Sequence, residues 1–199
     1  MTMPRSPSFT HDQILDAARD AAFEHWRSAT VGHVTALLGA PSGSIYHRFA
    51  SRDVLFGSAW IRSIRAFQAG LTPAAETGDP IEAIVRTALW IPEFCRRHPR
   101  DARMMTVFRY ADLVATGPPQ LQEELRHLND PVLDHLRRLT ERRYGRITPH
   151  GLEVVTLACH DSPYGIVRPI IGERIPAWID DAVRVTSTAL AHLDDTAHP

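Results

Sequence analysis

From Ser28 to Ser51 the chain carries no aspartate or glutamate, while Thr30, Ser42, Ser44, Tyr46, His47 and Arg48 fall inside that stretch and Arg52 follows it. Hydroxyls, an imidazole and guanidinium groups with no acid among them suit phosphate oxygens and base edges, which take hydrogen bonds from such donors. Acids crowd the preceding segment instead, at Asp12, Asp16, Asp20 and Glu24. The whole chain gives no comparable signal, because its 22 basic residues, all arginine, stand against 23 acidic ones for a net charge of -1. The local distribution of charge is therefore the footprint, and it points to a polyanion.

Such donors need a carrier that fixes their spacing. Thr30 can cap a helix whose apolar Val31, Val34, Leu37 and Leu38 recur at helical intervals, and Gly39 can end it in the left-handed conformation. Ala40-Pro41 permits a new start, and a second helix of about two turns runs from Pro41 or Ser42 to Arg48. On it Ile45 and Phe49 point inward and Ser42, Ser44, Tyr46, His47 and Arg48 point out. This is the layout of a helix-turn-helix. Upstream, Thr10 caps a helix over 11–27 with Ile14, Ala17, Ala18, Ala21, Ala22 and Trp26 along one stripe. The free N–H groups of the helix that Thr30 begins form a phosphate clamp. Gly43 would let the second helix approach DNA closely, and Ser42, Ser44 and Arg48 are placed for base edges, arginine because it bridges guanine O6 and N7.

The run G-A-P-S-G-S-I-Y-H-R-F followed by S-R-D-V-L resembles the second half of the DNA-binding domain of TetR-type transcriptional regulators. It departs from the usual pattern at Pro41, at the pair His47-Arg48 ahead of Phe49, and at Arg52, where lysine is common; arginine keeps the charge and adds a forked donor. The motif covers roughly the first third of the chain, and beyond it helix number and length agree with the family. The resemblance implies that Tyr46, His47 and Arg52 touch phosphates and that the last two long helices build a two-fold dimer. It also implies a repressor, released from a palindromic operator by a small hydrophobic or aromatic effector.

The remaining pattern is helical throughout. Helices are expected over 52–71, from Asp79-Pro80 with a kink at Pro92, over 100–116, over 121–143 with a bend at Pro131, from Thr148-Pro149 with breaks at 163–165 and 169, and from Pro176 to the end. The total is about nine, an all-α fold. A flexible arm (1–9), a helix-turn-helix domain (10–55) and a helical effector and dimerisation domain (56–199) are expected. Leu152, Val155, Ile179, Val183, Thr186 and Leu190 form the expected dimer seam; the spacing in the last helix serves the protein's own core equally well.

For the effector, Trp60, Phe67, Trp90, Phe94, Met104, Met105, Phe108, His160 and Tyr164 supply aromatic and sulfur groups for an apolar pocket with one or two polar fixings, or else pack as core. No histidine pair stands at metal-ligand spacing, and no nucleophile elbow, phosphate loop or C-x-x-C occurs, so neither a cofactor nor an enzyme is expected. The alternative is a helical ligand carrier or enzyme whose helix-turn-helix is not used for DNA. Cys95 and Cys159 read as packing residues, and the lack of a long apolar run or a signal-peptide core predicts a cytoplasmic protein with no membrane partner.

Overall fold

In a computed structural model, which describes residues 9–71 and 78–196, the chain is all helical. The elements are α1 (His11–His25), α2 (Val31–Leu38), α3 (Ser42–Tyr46), α4 (Arg52–Gln68), α5 (Pro80–Arg97), α6 (Pro99–Met105), α7 (Tyr110–Thr116), α8 (Gln122–His127), α9 (Asp130–Tyr144), α10 (Pro149–Thr156), α11 (Ser162–Val167) and α12 (Trp178–Ala191). Two expected helices are each divided in two, and a third carries a π-helical turn and runs unbroken through 163–165, where a break is expected. A turn at 106–109 separates α6 from α7, Leu128 and Asn129 separate α8 from α9, and a π-helical turn over Leu157–Asp161 lies between α10 and α11. Pro131 sits in the first turn of α9, so it starts a helix instead of bending one. Pro92 does not interrupt α5, which continues to Arg97. The arm over 1–9 lies outside the described residues except for Phe9.

Two compact units form, and neither is one continuous stretch. Unit 1 runs to Ile64 and resumes over Arg103–His127; unit 2 comprises Arg65–Ala102 and the chain from Leu128. This grouping departs from the expected boundary after residue 55, for a visible reason: the Trp60 indole donates to the Met105 carbonyl at 2.9 Å, so 103–127 belongs with the first helices. Within that second stretch Tyr110 donates to the Leu125 carbonyl and Gln122 to that of Leu113. The core of unit 1 includes Ile14, Ala18, Val34, Ile45, Phe49, Leu55 and Phe56. Each large apolar side chain buried there contributes about 1.5–3 kcal/mol.

α1 is shorter than expected. It stops at His25, and Trp26 takes φ 47° and ψ -126°, the one non-glycine residue at positive φ among those described. A conformation of that kind costs about 1–3 kcal/mol and persists only where surrounding contacts impose it. Trp26 is thus not part of the inward stripe and remains partly exposed.

In unit 2, α5 packs on α9, α12 and the α10–α11 helix, with Ala83, Ile84, Ala88, Ile91 and Phe94 buried. Asp79 caps α5 through the Glu82 N–H, Thr148 caps α10 through the Gly151 N–H, and Arg96 forks onto both carboxylate oxygens of Asp180 at 2.8 Å. α12 turns Ile179, Val183, Ser187 and Ala191 inward. Of the residues expected in a dimer seam, Val155, Ile179 and Val183 are buried within their own unit, while Leu152, Thr186 and Leu190 are half-buried. The apolar residues that α12 exposes are one register step away, at Trp178 (63% exposed) and Val185 (70%). Leu157 and Tyr164, on the neighbouring helix, are exposed as well. Among the described residues no helix is long and apolar enough to cross a membrane, and no group of three His, Cys, Asp or Glu side chains could hold a metal ion.

Candidate nucleic-acid interface

Thr30 begins α2 in extended conformation. Its hydroxyl accepts from the His33 N–H, and its own N–H donates to His33 Nδ1, so the two residues cap each other across the first turn. His33 also stacks on His25, with ring centroids 3.8 Å apart. Thr30 is exposed, and it stands beside the first N–H groups of α2, which a helix leaves without intrahelical partners.

Gly39 ends α2 at φ 61° and ψ 32°, where a Cβ would be strained. Pro41 lies just outside α3, in extended conformation, and its carbonyl accepts from the Ser44 hydroxyl at 2.7 Å. α3 itself has only 5 residues, but backbone bonds from His47 to Gly43 and from Phe49 to Ile45 extend its turn. Ile45 and Phe49 are 1% and 2% exposed, which seats the helix, and His11 lies against Phe49 at 4.9 Å. The face left outside carries Ser42, Gly43, Tyr46, His47 and Arg48, with Tyr46 half exposed and Ser44 partly so. Leu37, expected to face inward, is also exposed. A Cβ built on Gly43 meets nothing within 4 Å, so the protein's own packing does not require glycine there.

The two arginines differ. Arg48 is exposed, with one Nη1 donating to the Phe9 carbonyl. Arg52 is turned onto the protein: Nε donates to Ala29 O at 2.8 Å, Nη2 to Arg27 O at 2.9 Å and Nη1 to Asp53 at 3.1 Å, and the guanidinium lies 4.9 Å from the Phe56 ring centre. Arg52 thus fixes the segment leading into α2. Sequence reasoning missed this bracing, since nothing in the motif says which way the fork points.

The aromatic residues expected around an effector separate into three sets. Phe67, Trp90 and Phe94 form a cluster in unit 2, Phe94 edge-on to Phe67 at 5.3 Å, with the Trp90 indole donating to the Phe67 carbonyl. Trp60 and Met104 are buried in unit 1, with Met105 and Phe108 half-buried. His160 and Tyr164 stack on each other at 6.2 Å and are exposed, His160 hydrogen-bonded to Asp161, so they lie on the outer face of their helix. One of the buried polar residues of unit 2, with Thr87, Thr140 and Ser187, is a histidine not singled out from sequence, His135. It is 2% exposed, its Nε2 lies 3.2 Å from Thr87 Oγ1, and Thr87 in turn donates to Ala83 O. Thr87 therefore accepts from Nε2–H, which leaves Nδ1 as a buried acceptor with no protein partner. Burial, helped by the Arg138 charge, lowers the His135 pKa to about 4 and keeps the imidazole neutral. Burial likewise pushes the Cys95 thiol up to about 11 and that of Cys159 up to about 12, out of the reactive range.

No protein-family profile and no curated protein sequence matches the chain. Solved structures do match. The chain is similar to a transcriptional regulator from Rhodococcus sp. RHA1, at 21% identity and TM-score 0.74 over 96% of this chain and 100% of that one. It is similar to a TetR family transcriptional regulator from Thermus thermophilus, at 18% identity and TM-score 0.65 over 89% and 96%. The ketosteroid transcriptional regulator of Mycobacterium tuberculosis matches at 18% identity and TM-score 0.59 over 94% and 96%. The fold is that of the TetR-type regulators, and it extends over nearly the whole chain.

Proposed function

We propose that the protein is a sequence-specific DNA-binding transcriptional regulator, working as a homodimer and repressing from a palindromic operator. The observation that carries this reading is the outer face of α3. Ser42, Gly43, Tyr46, His47 and Arg48 stand together on a helix seated by Ile45 and Phe49, in a stretch without acids, inside a fold shared with solved regulators. Arg48, Ser42 and Ser44 read base edges in the major groove; Thr30, Tyr46 and His47 hold phosphates. Arg52 serves the phosphate contacts by holding the segment that presents Thr30. A dimer sets two such helices about 34–36 Å apart, hence an inverted repeat in the DNA. Its surface is the outward stripe of α12 with Leu157 and Tyr164, because apolar groups of that size gain most from a partner.

The effector acts on the second half of the chain. The Phe67, Trp90 and Phe94 cluster suits a hydrophobic or aromatic molecule, and His135 Nδ1 calls for one that brings a hydrogen-bond donor. Effector and operator weaken each other's binding by one common factor.

The test is a fluorescence-anisotropy titration on duplexes tiling the DNA upstream of the coding region, repeated at several salt concentrations. Tight binding to one palindromic segment, falling steeply with salt, is expected. Weak binding that is the same on every duplex at low salt overturns the reading.

A further inference from the structure

Trp26 holds a backbone conformation that a tryptophan does not choose, and the contacts that impose it come from far along the chain. The indole N–H donates to Thr106 Oγ1 at 3.0 Å across 80 residues of sequence. Arg27 and Arg103 place guanidinium carbons 4.6 and 5.1 Å from the ring centre. Arg27 Nε also donates to the Val107 carbonyl at 3.1 Å, and the Thr106 hydroxyl is fixed by donating to Arg103 O at 2.7 Å. The grip on residues 26 and 27 thus comes from the end of α6, where the chain re-enters unit 1 after its first passage through unit 2. From the other side Arg52 holds the carbonyls of Arg27 and Ala29. Between these two grips the chain has only residues 28 and 29 before Thr30, whose geometry opens α2.

We infer that Trp26 is a positioning residue for the DNA-reading helices: the Trp26–Thr106 latch lets the end of α6 set where α2 begins, and a movement of α6 that opens the latch frees Trp26 to leave its positive-φ state and shifts the phosphate clamp at Thr30. Strain of this sort is bistable by construction, since the residue relaxes as soon as its partner lets go. This rests on the DNA-binding reading above and adds a route that runs from the end of α6 to the start of α2. No sequence signal marked it, because Thr106 and Trp26 are distant and neither belongs to a motif.

The latch is tested with a double-mutant cycle in the full chain. The probe is the upstream duplex that the wild type binds most tightly. Trp26→Phe removes the indole N–H, Thr106→Val removes its acceptor while keeping shape, and Thr106→Ser keeps the acceptor. Trp26→Phe and Thr106→Val are each expected to weaken duplex binding roughly threefold to tenfold, the value of one hydrogen bond. The double variant should be no worse than either single one, and Thr106→Ser should match the wild type. Amide exchange over Val31–Val34, measured without DNA, should quicken in the first two variants and not in Thr106→Ser. Additive losses, or wild-type affinity in Thr106→Val, overturn the inference. If the wild type binds no duplex, the functional reading has failed and the exchange data alone decide: unchanged exchange in Trp26→Phe and Thr106→Val overturns the latch. Should Thr106→Val fail to fold, Trp26→Phe against Thr106→Ser carries the same decision.

Discussion

In α3 the polar side chains face out, and two buried apolar ones, Ile45 and Phe49, hold a 5-residue helix in place; in α12 a serine, Ser187, is buried while Trp178 and Val185 face out. Polar exposure is the default for any surface, so what makes the α3 face informative is the missing acid and the glycine that packing does not need. In α12 the pattern is reversed. Bulky exposed apolar groups call for a covering partner, and a buried hydroxyl calls for a local one.

The largest separation between the two regions should come from adjacent surfaces of α12. Val183→Asp places a carboxylate in the unit 2 core and is expected to cost at least about 4 kcal/mol, enough to abolish the cooperative melt. Val185→Asp should keep a cooperative melt, lose the concentration dependence of its midpoint, and give a monomer in sedimentation equilibrium. A Val185→Asp protein that remains dimeric would move the partner surface elsewhere.

On the reading head, Arg48→Ala is expected to weaken operator binding by about 1–3 kcal/mol and to relax preference at one base position, with the thermal midpoint unchanged. Tyr46→Ala should weaken all duplexes alike and lower the salt slope. Equal loss of melting temperature in either variant would make these residues structural, as in unit 2.

The pH response belongs to unit 2. His135 has a folded pKa near 4, below its ordinary 6.5, so between those values the unfolded chain binds the extra proton. Stability is therefore full above pH 6.5 and falls as pH drops toward 4, by about 1–2 kcal/mol once solvent screening is allowed for. Denaturant melts at pH 7 and pH 5 measure it, and His135→Gln should flatten the difference.

The smallest effect is the most diagnostic. Gly43→Ala should raise stability by about 0.5–1 kcal/mol, because alanine loses less backbone freedom in a helix and meets no neighbour here. The same change should weaken duplex binding. A variant both more stable and fully active would show that no partner approaches Gly43.

Much of the reading head was legible because its signals are local. Thr30, Gly39, Ile45 and Phe49 each act within a turn of their own position, and all four stand where the pattern put them. Trp26 leaves the stripe of α1 because Thr106 and Arg103 hold it from outside that helix, while Leu37 is left exposed. The all-helical class followed from periodicity, whereas the break between α6 and α7 falls in a run with no proline or glycine to mark it. In unit 2, α12 offered two apolar stripes one residue apart, 179/183 and 178/185, and only packing decides which one the core takes. His135 looked like one of 11 scattered histidines until α5 brought Thr87 to it.

The discontinuity of unit 1 has a temporal side. Its first stretch ends at Ile64, but the residues that grip Trp26 and Trp60 lie at the start of the stretch over Arg103–His127. The last residue gripping the 26–27 segment is Val107, 43 positions after Ile64 (107 − 64), and at synthesis rates of about 5–20 residues per second the ribosome needs roughly 2–9 s to supply it. For that interval the nascent helix-turn-helix has its local caps and turns but not the contacts that impose Trp26, so its final geometry is a product of later translation even though its motif is made first.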